Sequence, residues 1–221
     1  LAELQDMYPR EWKRACKEAV CAQLGTPEAA KLIGPKIDRI RKQTKGRTVL
    51  IGGPPCQAYS LVGRARNAGN SEYNAEDDGR HFLYREYIEV LDRLRPAAFV
   101  MENVKGILSS AVSGAGIFER ILKDLENVGK DEGGYKLVAL VPNRNGKPAS
   151  TLSLSPHDFI VRSEQHIVPQ ARHRVFVVGL RADVADKLDE GDLATLLPFG
   201  PQTSVHDILS GLPVLRSGLS K

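Results

Sequence analysis

Short apolar runs alternate with longer segments of helical periodicity over most of the chain. Four runs have the length and composition of strands and are bounded by glycine, proline or polar residues. The segments between them carry apolar residues at every third or fourth position, as amphipathic helices packed on a sheet do. The predicted strands are 48–51, 98–101, 135–141 and 175–180, and the predicted helices are 1–24, 27–46, 82–94 and 117–128.

This order of elements predicts an α/β sheet, because strands separated by helices of this length form right-handed crossovers. The runs at 48–51 and 98–101 are short and apolar, so we predict that both are buried strands, the first in a parallel sheet. Ligands in such sheets bind beyond the carboxyl ends of the strands. We divide the chain into a helical N-terminal segment at 1–46, a core at 47–181 and a tail at 182–221.

The composition is that of a folded protein. Hydrophobic residues make up 42% of the 221 residues, too many for a disordered chain. No apolar run approaches the roughly 18 residues that cross a bilayer. The N-terminus has neither a basic start nor an apolar signal core. We therefore expect a soluble cytoplasmic protein without a membrane partner.

The charge and the cysteine content exclude only a few classes of protein. The net charge of +4 permits a polyanionic partner. The seven Lys and Arg between positions 31 and 47 form either a solvated helix face or a phosphate-binding patch. Three cysteines without a CxxC pair argue against a disulfide framework and against structural zinc, so we expect no metal site.

Reactive side chains stand beside the ends of the predicted strands. Cys56 follows the first strand and a Gly-Gly-Pro-Pro turn that would present its thiol rigidly. Glu102 follows four apolar residues and is either a general acid or a salt-bridged carboxylate. Arg172 and Arg174 precede the last strand, where alternation would place both on one face. Such a pair suits a phosphate, a carboxylate or a base oxygen, or is a charged sheet edge. His173, on the other face, is interpreted as a surface residue.

Four motifs in one order resemble the cytosine-C5 DNA methyltransferase family, over about residues 47–181. Residues 52–60, Gly-Gly-Pro-Pro-Cys-Gln-Ala-Tyr-Ser, resemble its nucleophile motif, with Tyr59 where the family usually has Phe. Residues 78–84 resemble its Asp-x-Arg-x-x-Leu-Phe helix start. Residues 99–104 resemble its Glu-Asn-Val motif, and residues 169–174 its Gln-x-Arg-x-Arg motif.

The resemblance implies a Rossmann-like S-adenosylmethionine-dependent methyltransferase fold that is partial and holds the catalytic half of the sheet. It implies that a cytosine in DNA is flipped out, attacked at C6 by Cys56 and methylated at C5 with S-adenosylmethionine as cofactor. Glu102 would hold and protonate N3 of the base. Arg174, and with it Arg172, would bind the base O2.

The same resemblance assigns supporting roles to other residues. Pro54 and Leu83 are candidate cofactor contacts. Asn103 would brace the loop that contains Pro54, and Gln170 would give structural support. The loop at 60–77 would close over DNA. The candidate DNA-binding residues are Gln57, Ser60, Arg64 and Arg66.

Some features depart from the family pattern. Ile167 stands where the family usually has Gly; a positive φ there would strain a β-branched residue, and otherwise the local turn differs. The insertion at 142–157 is longer than expected. A Phe-x-Gly-x-Gly turn and an acidic ribose-binding residue are missing from the sequence. We therefore expect a chain that begins mid-gene and lacks most of the cofactor half and the sequence-reading domain.

The leading hypothesis is the catalytic fragment of a DNA cytosine-C5 methyltransferase from a bacterial modification system. Its partners would be double-stranded DNA and a cognate restriction endonuclease. The RNA-acting branch shares these motifs and stays an alternative. A non-catalytic regulatory homologue is a second alternative, against which the intact Cys56, Glu102 and Arg174 argue. A cysteine-dependent hydrolase would need a histidine partner, and none of the 5 histidines lies in such a motif.

Overall fold

The structure of the chain is a computed structural model that describes residues 2–55, 83–112, 115–142, 154–189, 196, 200, 201 and 203–213. Five strands in this part of the chain form one sheet, and two more form a small ribbon. The sheet strands are β1 (Val49–Gly52), β2 (Ala98–Val104), β5 (Tyr135–Val138), β6 (Ile160–Arg162) and β7 (His173–Arg181). The ribbon pairs β3 (Ala111–Val112) with β4 (Ala115–Gly116).

The helices lie between and outside these strands. They are α1 (Ala2–Met7), α2 (Pro9–Glu18), α3 (Pro27–Thr44), α4 (Tyr84–Leu94), α5 (Ile117–Asn127), α6 (Ala182–Ala185) and α7 (Val205–Leu209). Short 3-10 turns cover Lys105–Ser109, Lys130–Glu132, Pro156–Phe159 and Ser163–His166. None of the described helices is long and apolar enough to cross a membrane.

The sheet is mixed. Its strand order is β1-β2-β7-β5, and β6 also pairs with β7. β1 and β2 run parallel, which a connection through α4 allows, since a parallel pair needs a long crossover. β7 runs antiparallel to β2, β5 and β6. The amino end of β7 therefore lies beside the carboxyl ends of β1 and β2.

One face of the sheet carries the hydrophobic core. Alternation along β2 sends Phe99 and Met101 to this face, where both are buried. Helices α4 and α5 pack there with their apolar stripes. The fully buried side chains of this core include Leu91, Phe99, Met101, Phe118, Leu125, Val175 and Val177. This packing fixes β2 and β7, the two strands that carry the candidate site.

Helix α3 begins at the predicted residue, Pro27, and ends at Thr44, two residues before the predicted end. Thr26 Oγ1 accepts a hydrogen bond from Ala29 N–H at 3.2 Å, and Pro27 occupies the first turn. Pro35 lies inside the helix without ending it. The helix ends at Thr44, and Lys45 after it adopts a left-handed conformation with φ of 52°. α3 packs on α4, where Arg93 pairs with Asp38 at 2.7 Å.

Most of the predicted elements are confirmed, and three predictions need correction. The prediction that 48–51 is buried is wrong, because Val49 is 60% exposed and Ile51 is 76% exposed. The sheet is mixed and not a run of parallel crossovers. The N-terminal helix is two helices that end at Glu18, short of the predicted residue 24. The α/β class itself is confirmed.

Candidate active site

Three chain segments meet at one edge of the sheet, where β1 and β2 end and β7 begins. The register places Gly52 beside Met101 and Val104 opposite Arg174. This edge is the position where the carboxyl ends of parallel strands in α/β folds present functional groups. The antiparallel β7 adds to it the side chains from its amino end.

Glu102 and Arg174 form an ion pair at this edge. Arg174 Nε lies 2.8 Å from Glu102 Oε1. Glu102 is opposite Phe176 in the register, so Arg174 reaches it along the diagonal, on the same face of the sheet. The Arg174 Nη1 also donates to the carbonyl oxygen of His173 at 2.9 Å. The Glu102 side chain is 39% exposed and that of Arg174 is 21% exposed, so a ligand can approach the pair.

The two glycines after β1 each make room for a different neighbour. A Cβ on Gly52 would lie 2.6 Å from Cε2 of Tyr87, whose ring packs in the core. A Cβ on Gly53 would lie 3.1 Å from Glu102 Oε2. Gly52 therefore serves the packing of α4, and Gly53 lets the chain pass close to the carboxylate.

Asn103 holds the segment that follows these glycines. Its side chain is 3% exposed, and its Nδ2 donates to the carbonyl oxygen of Pro54 at 3.2 Å. Its Oδ1 accepts from the backbone N–H of Val104 at 2.8 Å. Both polar atoms of the buried amide thus have partners, which a buried polar group requires. The structure brings together the two residues that the sequence analysis assigned to this brace.

A tight connection between β6 and β7 holds the start of β7. Ser163 Oγ accepts from the backbone N–H of Arg172 at 3.0 Å and lies 2.6 Å from its carbonyl oxygen. Glu164 Oε1 lies 2.8 Å from His173 Nε2. The pKa of Glu164 is lowered by its own backbone N–H and then by His173. Ile167 in the same connection has a left-handed backbone with φ of 63°.

Comparison with known proteins identifies the family of this chain. A family model described as C-5 cytosine-specific DNA methylase matches residues 6–216. The chain belongs to this family. Type II methyltransferase M.Bpa9945I of Bacillus paralicheniformis is 32% identical over 168 residues, 76% of this chain and 33% of that protein. A DNA-cytosine methyltransferase of Escherichia coli (strain K12) is 30% identical over 153 residues, 69% of this chain and 29% of that protein.

The chain spans about a third of the length of these curated relatives. Among solved structures, a DNA modification methyltransferase encoded within an E. coli prophage matches with a TM-score of 0.47 and 24% identity. That match covers 80% of this chain and 39% of the other.

Some residues of the methylase motifs lie among the described residues, and others lie outside them. The nucleophile candidate Cys56 and the DNA-contact candidates Gln57, Ser60, Arg64 and Arg66 lie outside them, as does the loop at 60–77. Arg172 precedes β7 and is exposed, and the structure brings Arg174 alone of this pair to Glu102. Gln170 is exposed, and its carbonyl oxygen lies 2.9 Å from Ser163 Oγ.

Three residues at the start of β7 and just before it add to what the sequence indicated. His173 is partly exposed, with 30% of its side chain accessible, and its ring contacts Glu164. Ile167 has a positive φ, which is the strained case that the sequence analysis named for a β-branched residue. Glu164 itself was missed, since nothing in its spacing marks a partner nine residues away.

Both candidate cofactor contacts of the sequence analysis, Pro54 and Leu83, lie among the described residues. Pro54 is buried and held by Asn103, and Leu83 is half-buried just before α4. On the other side of β1 the described part of the sheet has no further strand, and Ile51 is 76% exposed. The described residues by themselves do not fit the whole of S-adenosylmethionine.

Proposed function

We propose that the protein carrying this chain methylates C5 of cytosine in double-stranded DNA through a covalent adduct between Cys56 and C6. The observation that carries this proposal is the ion pair of Glu102 with Arg174, 2.8 Å apart at the strand ends of a C-5 cytosine-specific DNA methylase family member. S-adenosylmethionine would supply the methyl group. A cognate restriction endonuclease is the further partner we propose, since the relatives include type II methyltransferases.

The ion pair suits a flipped cytosine because it offers one acid and one cation to neighbouring atoms of the base. In the proposed reaction the Cys56 thiolate attacks C6, and the electron pair of the C5–C6 bond moves toward N3. Glu102 takes up a proton as the base enters and gives it to N3, so attack yields a neutral enamine instead of a carbanion. Arg174 donates to O2, where negative charge also develops. After C5 is methylated, a water molecule takes the C5 proton, and the electron pair of that C–H bond re-forms the C5–C6 double bond and expels the Cys56 thiolate. N3 then returns its proton to the Glu102 carboxylate.

The contacts of Asn103 are a second observation that supports the proposal. Its bond to the Pro54 carbonyl fixes the backbone two residues before Cys56. Gly53 lets this backbone pass next to the Glu102 carboxylate. The segment that leads to Cys56 is thus held beside the carboxylate of the proposed acid, and such positioning of reacting groups lowers the entropic part of a barrier.

Covalent trapping tests the proposal. The full protein that carries this chain should form an adduct with duplex DNA containing 5-fluorocytosine, because fluorine at C5 cannot leave as a proton does. Cys56→Ser should abolish the adduct, whereas Cys16→Ser, at an exposed cysteine, should leave it. Electrophoresis under denaturing conditions measures both. An adduct that survives Cys56→Ser would reject Cys56 as the nucleophile.

The substrate is tested with the same assay. RNA and duplex DNA of one sequence, each with 5-fluorocytosine, are compared. Trapping on DNA alone supports the proposal, and trapping on RNA alone would replace it with the RNA-acting alternative. Binding of DNA without trapping or methyl transfer would favour a regulatory homologue.

A further inference from the structure

The connection between β6 and β7 contains a side-chain contact, between Glu164 and His173, that lies next to the proposed catalytic pair. Glu164 Oε1 lies 2.8 Å from His173 Nε2, and His173 immediately precedes Arg174. The carbonyl oxygen of His173 accepts from Arg174 Nη1, while Arg174 Nε contacts Glu102. A continuous path of contacts therefore runs from Glu164 through His173 and Arg174 to Glu102.

The two ends of this path lie on different faces of β7. Alternation places the His173 ring on one face and the Arg174 guanidinium on the other. His173 is the first residue of β7, and it pairs with Arg162 of β6 in the register. The position of His173 therefore affects the direction in which β7 starts. A contact that holds the His173 ring thereby also sets the angle at which Arg174 leaves the sheet.

The connection contains features that cost stability. Glu164 Oε2 is buried without a hydrogen-bond partner among the described residues. Ile167, three residues later, holds a left-handed backbone that β-branched residues rarely adopt. Such costs persist where the surrounding structure fixes them, and they concentrate at functional sites.

We propose that Glu164 is a positioning residue, which through His173 fixes the start of β7 and so aims the Arg174 guanidinium at Glu102. Ser163 contributes by holding the backbone of Arg172 through its hydroxyl. The catalytic consequence rests on the proposed function. The positioning itself does not, since it concerns contacts within the chain.

The first test measures the position of Arg174 directly. In an NMR spectrum of arginine Nε–H groups of the full protein, the Arg174 signal is the one that Arg174→Lys removes. Glu164→Ala should shift or broaden this signal. Glu164→Gln should keep it, because the amide oxygen still accepts from His173. Asp186→Ala removes an exposed pair with Lys136 on β5 and serves as the matched control that leaves the signal in place.

The second test measures catalysis. Glu164→Ala should lower kcat about 10- to 100-fold, the usual effect of removing a group that orients a catalytic residue. The KM for DNA should stay within about threefold, because Glu164 does not contact the substrate. Glu164→Gln should restore most of kcat. A merely structural role would lower the amount of folded protein and leave kcat per folded molecule unchanged.

The outcomes separate this inference from the proposed function. A wild-type protein that neither traps nor methylates DNA rejects the proposed function, and the NMR signal still decides the positioning. An unchanged Arg174 signal in Glu164→Ala overturns the inference, as does an unchanged kcat in an enzyme that methylates DNA. If Glu164→Ala does not fold, Glu164→Asp decides, since it keeps the charge and withdraws the carboxylate from His173 by about 1.5 Å.

Discussion

Arg174 contacts Glu102 along a diagonal of two antiparallel strands, with Arg174 Nε 2.8 Å from Glu102 Oε1. The partner directly opposite Arg174 is Val104, and the one opposite Glu102 is Phe176. The pairing therefore depends on the register of β2 with β7. A shift of one residue would send Arg174 to the opposite face of the sheet.

A double-mutant cycle should separate what this pair does for stability from what it does for catalysis. Both side chains are partly exposed, so we expect a coupling of about 0.5–1 kcal/mol in the free energy of unfolding between Glu102→Ala and Arg174→Ala. Loss of kcat should be strongly non-additive, because the two residues act on one base. The pair Arg14 and Glu18, largely exposed on α2, is a control expected to couple by at most about 0.5 kcal/mol. Additive losses of kcat would contradict joint action.

Replacing Gly52 or Gly53, at the end of β1, by alanine should affect different properties of the protein. Gly52→Ala places a methyl group against the Tyr87 ring in the core and should cost about 1–3 kcal/mol of unfolding free energy. Gly53→Ala presses instead on Glu102 Oε2, which is partly exposed and can move. We expect little loss of stability and a loss of about 10-fold or more in trapping rate. Urea unfolding and the rate of 5-fluorocytosine trapping measure the two effects, and equal effects from both variants would contradict this division.

The left-handed backbone at Ile167 should reverse the usual order of alanine and glycine. Both Ile167→Ala and Ile167→Gly remove the side chain, but only glycine adopts a φ of 63° without strain. We expect the glycine variant to be more stable than the alanine variant by about 1 kcal/mol. At the neighbouring Val168 the ordinary order, alanine above glycine, should hold. Urea unfolding of the four variants measures these stabilities. An alanine variant that is more stable than the glycine variant at position 167 would contradict the left-handed conformation of Ile167.

Burial of Tyr135 should make the protein lose stability in alkali. Burial raises the pKa of Tyr135 to about 12, and its hydroxyl donates to the carbonyl oxygen of Pro96 at 2.8 Å. The folded state holds this proton more tightly than the unfolded chain, whose tyrosine titrates near about 10. The resulting stability is complete below about pH 10 and is lost as the pH rises to about 12.

Tyr135→Phe should therefore reduce the free energy of unfolding by about 1 kcal/mol at neutral pH and flatten its fall above pH 10. Tyr8→Phe, at a tyrosine that is 55% exposed, is the control. Urea unfolding at pH 8 and pH 11 gives the comparison. An equal alkaline loss in wild type and Tyr135→Phe would show that another group causes it.

The chain by itself should bind S-adenosylmethionine weakly or not at all. Pro54 and Leu83 are the candidate contacts among the described residues, and β1 has no strand beyond it in the described part of the sheet. The described residues therefore offer little of the enclosing surface that a nucleoside needs. Titration calorimetry should show no binding at micromolar concentrations, with the full protein as the positive control. Micromolar binding by the chain alone would contradict this account of the cofactor site.

The sequence by itself determined most of the secondary-structure elements and the family of this chain. Helical periodicity located α4 and α5, and the apolar run of β2 located Phe99 and Met101 in the core, because these patterns reflect the local geometry of each element. The ordered motifs indicated the methylase family and singled out Glu102 and Arg174. A motif can do this because it names side chains at fixed positions on one strand.

Tertiary structure alone decided which side chains meet. The register of β2 and β7 brought Arg174 to Glu102 and left Arg172 exposed before the strand. The antiparallel connection between β6 and β7 brought Glu164 to His173. The strand order left Ile51 exposed on β1, a strand that the sequence pattern predicts to be buried. Sequence patterns could not reveal these contacts, because burial and pairing depend on which strands become neighbours, and that is set by long-range packing rather than by local periodicity.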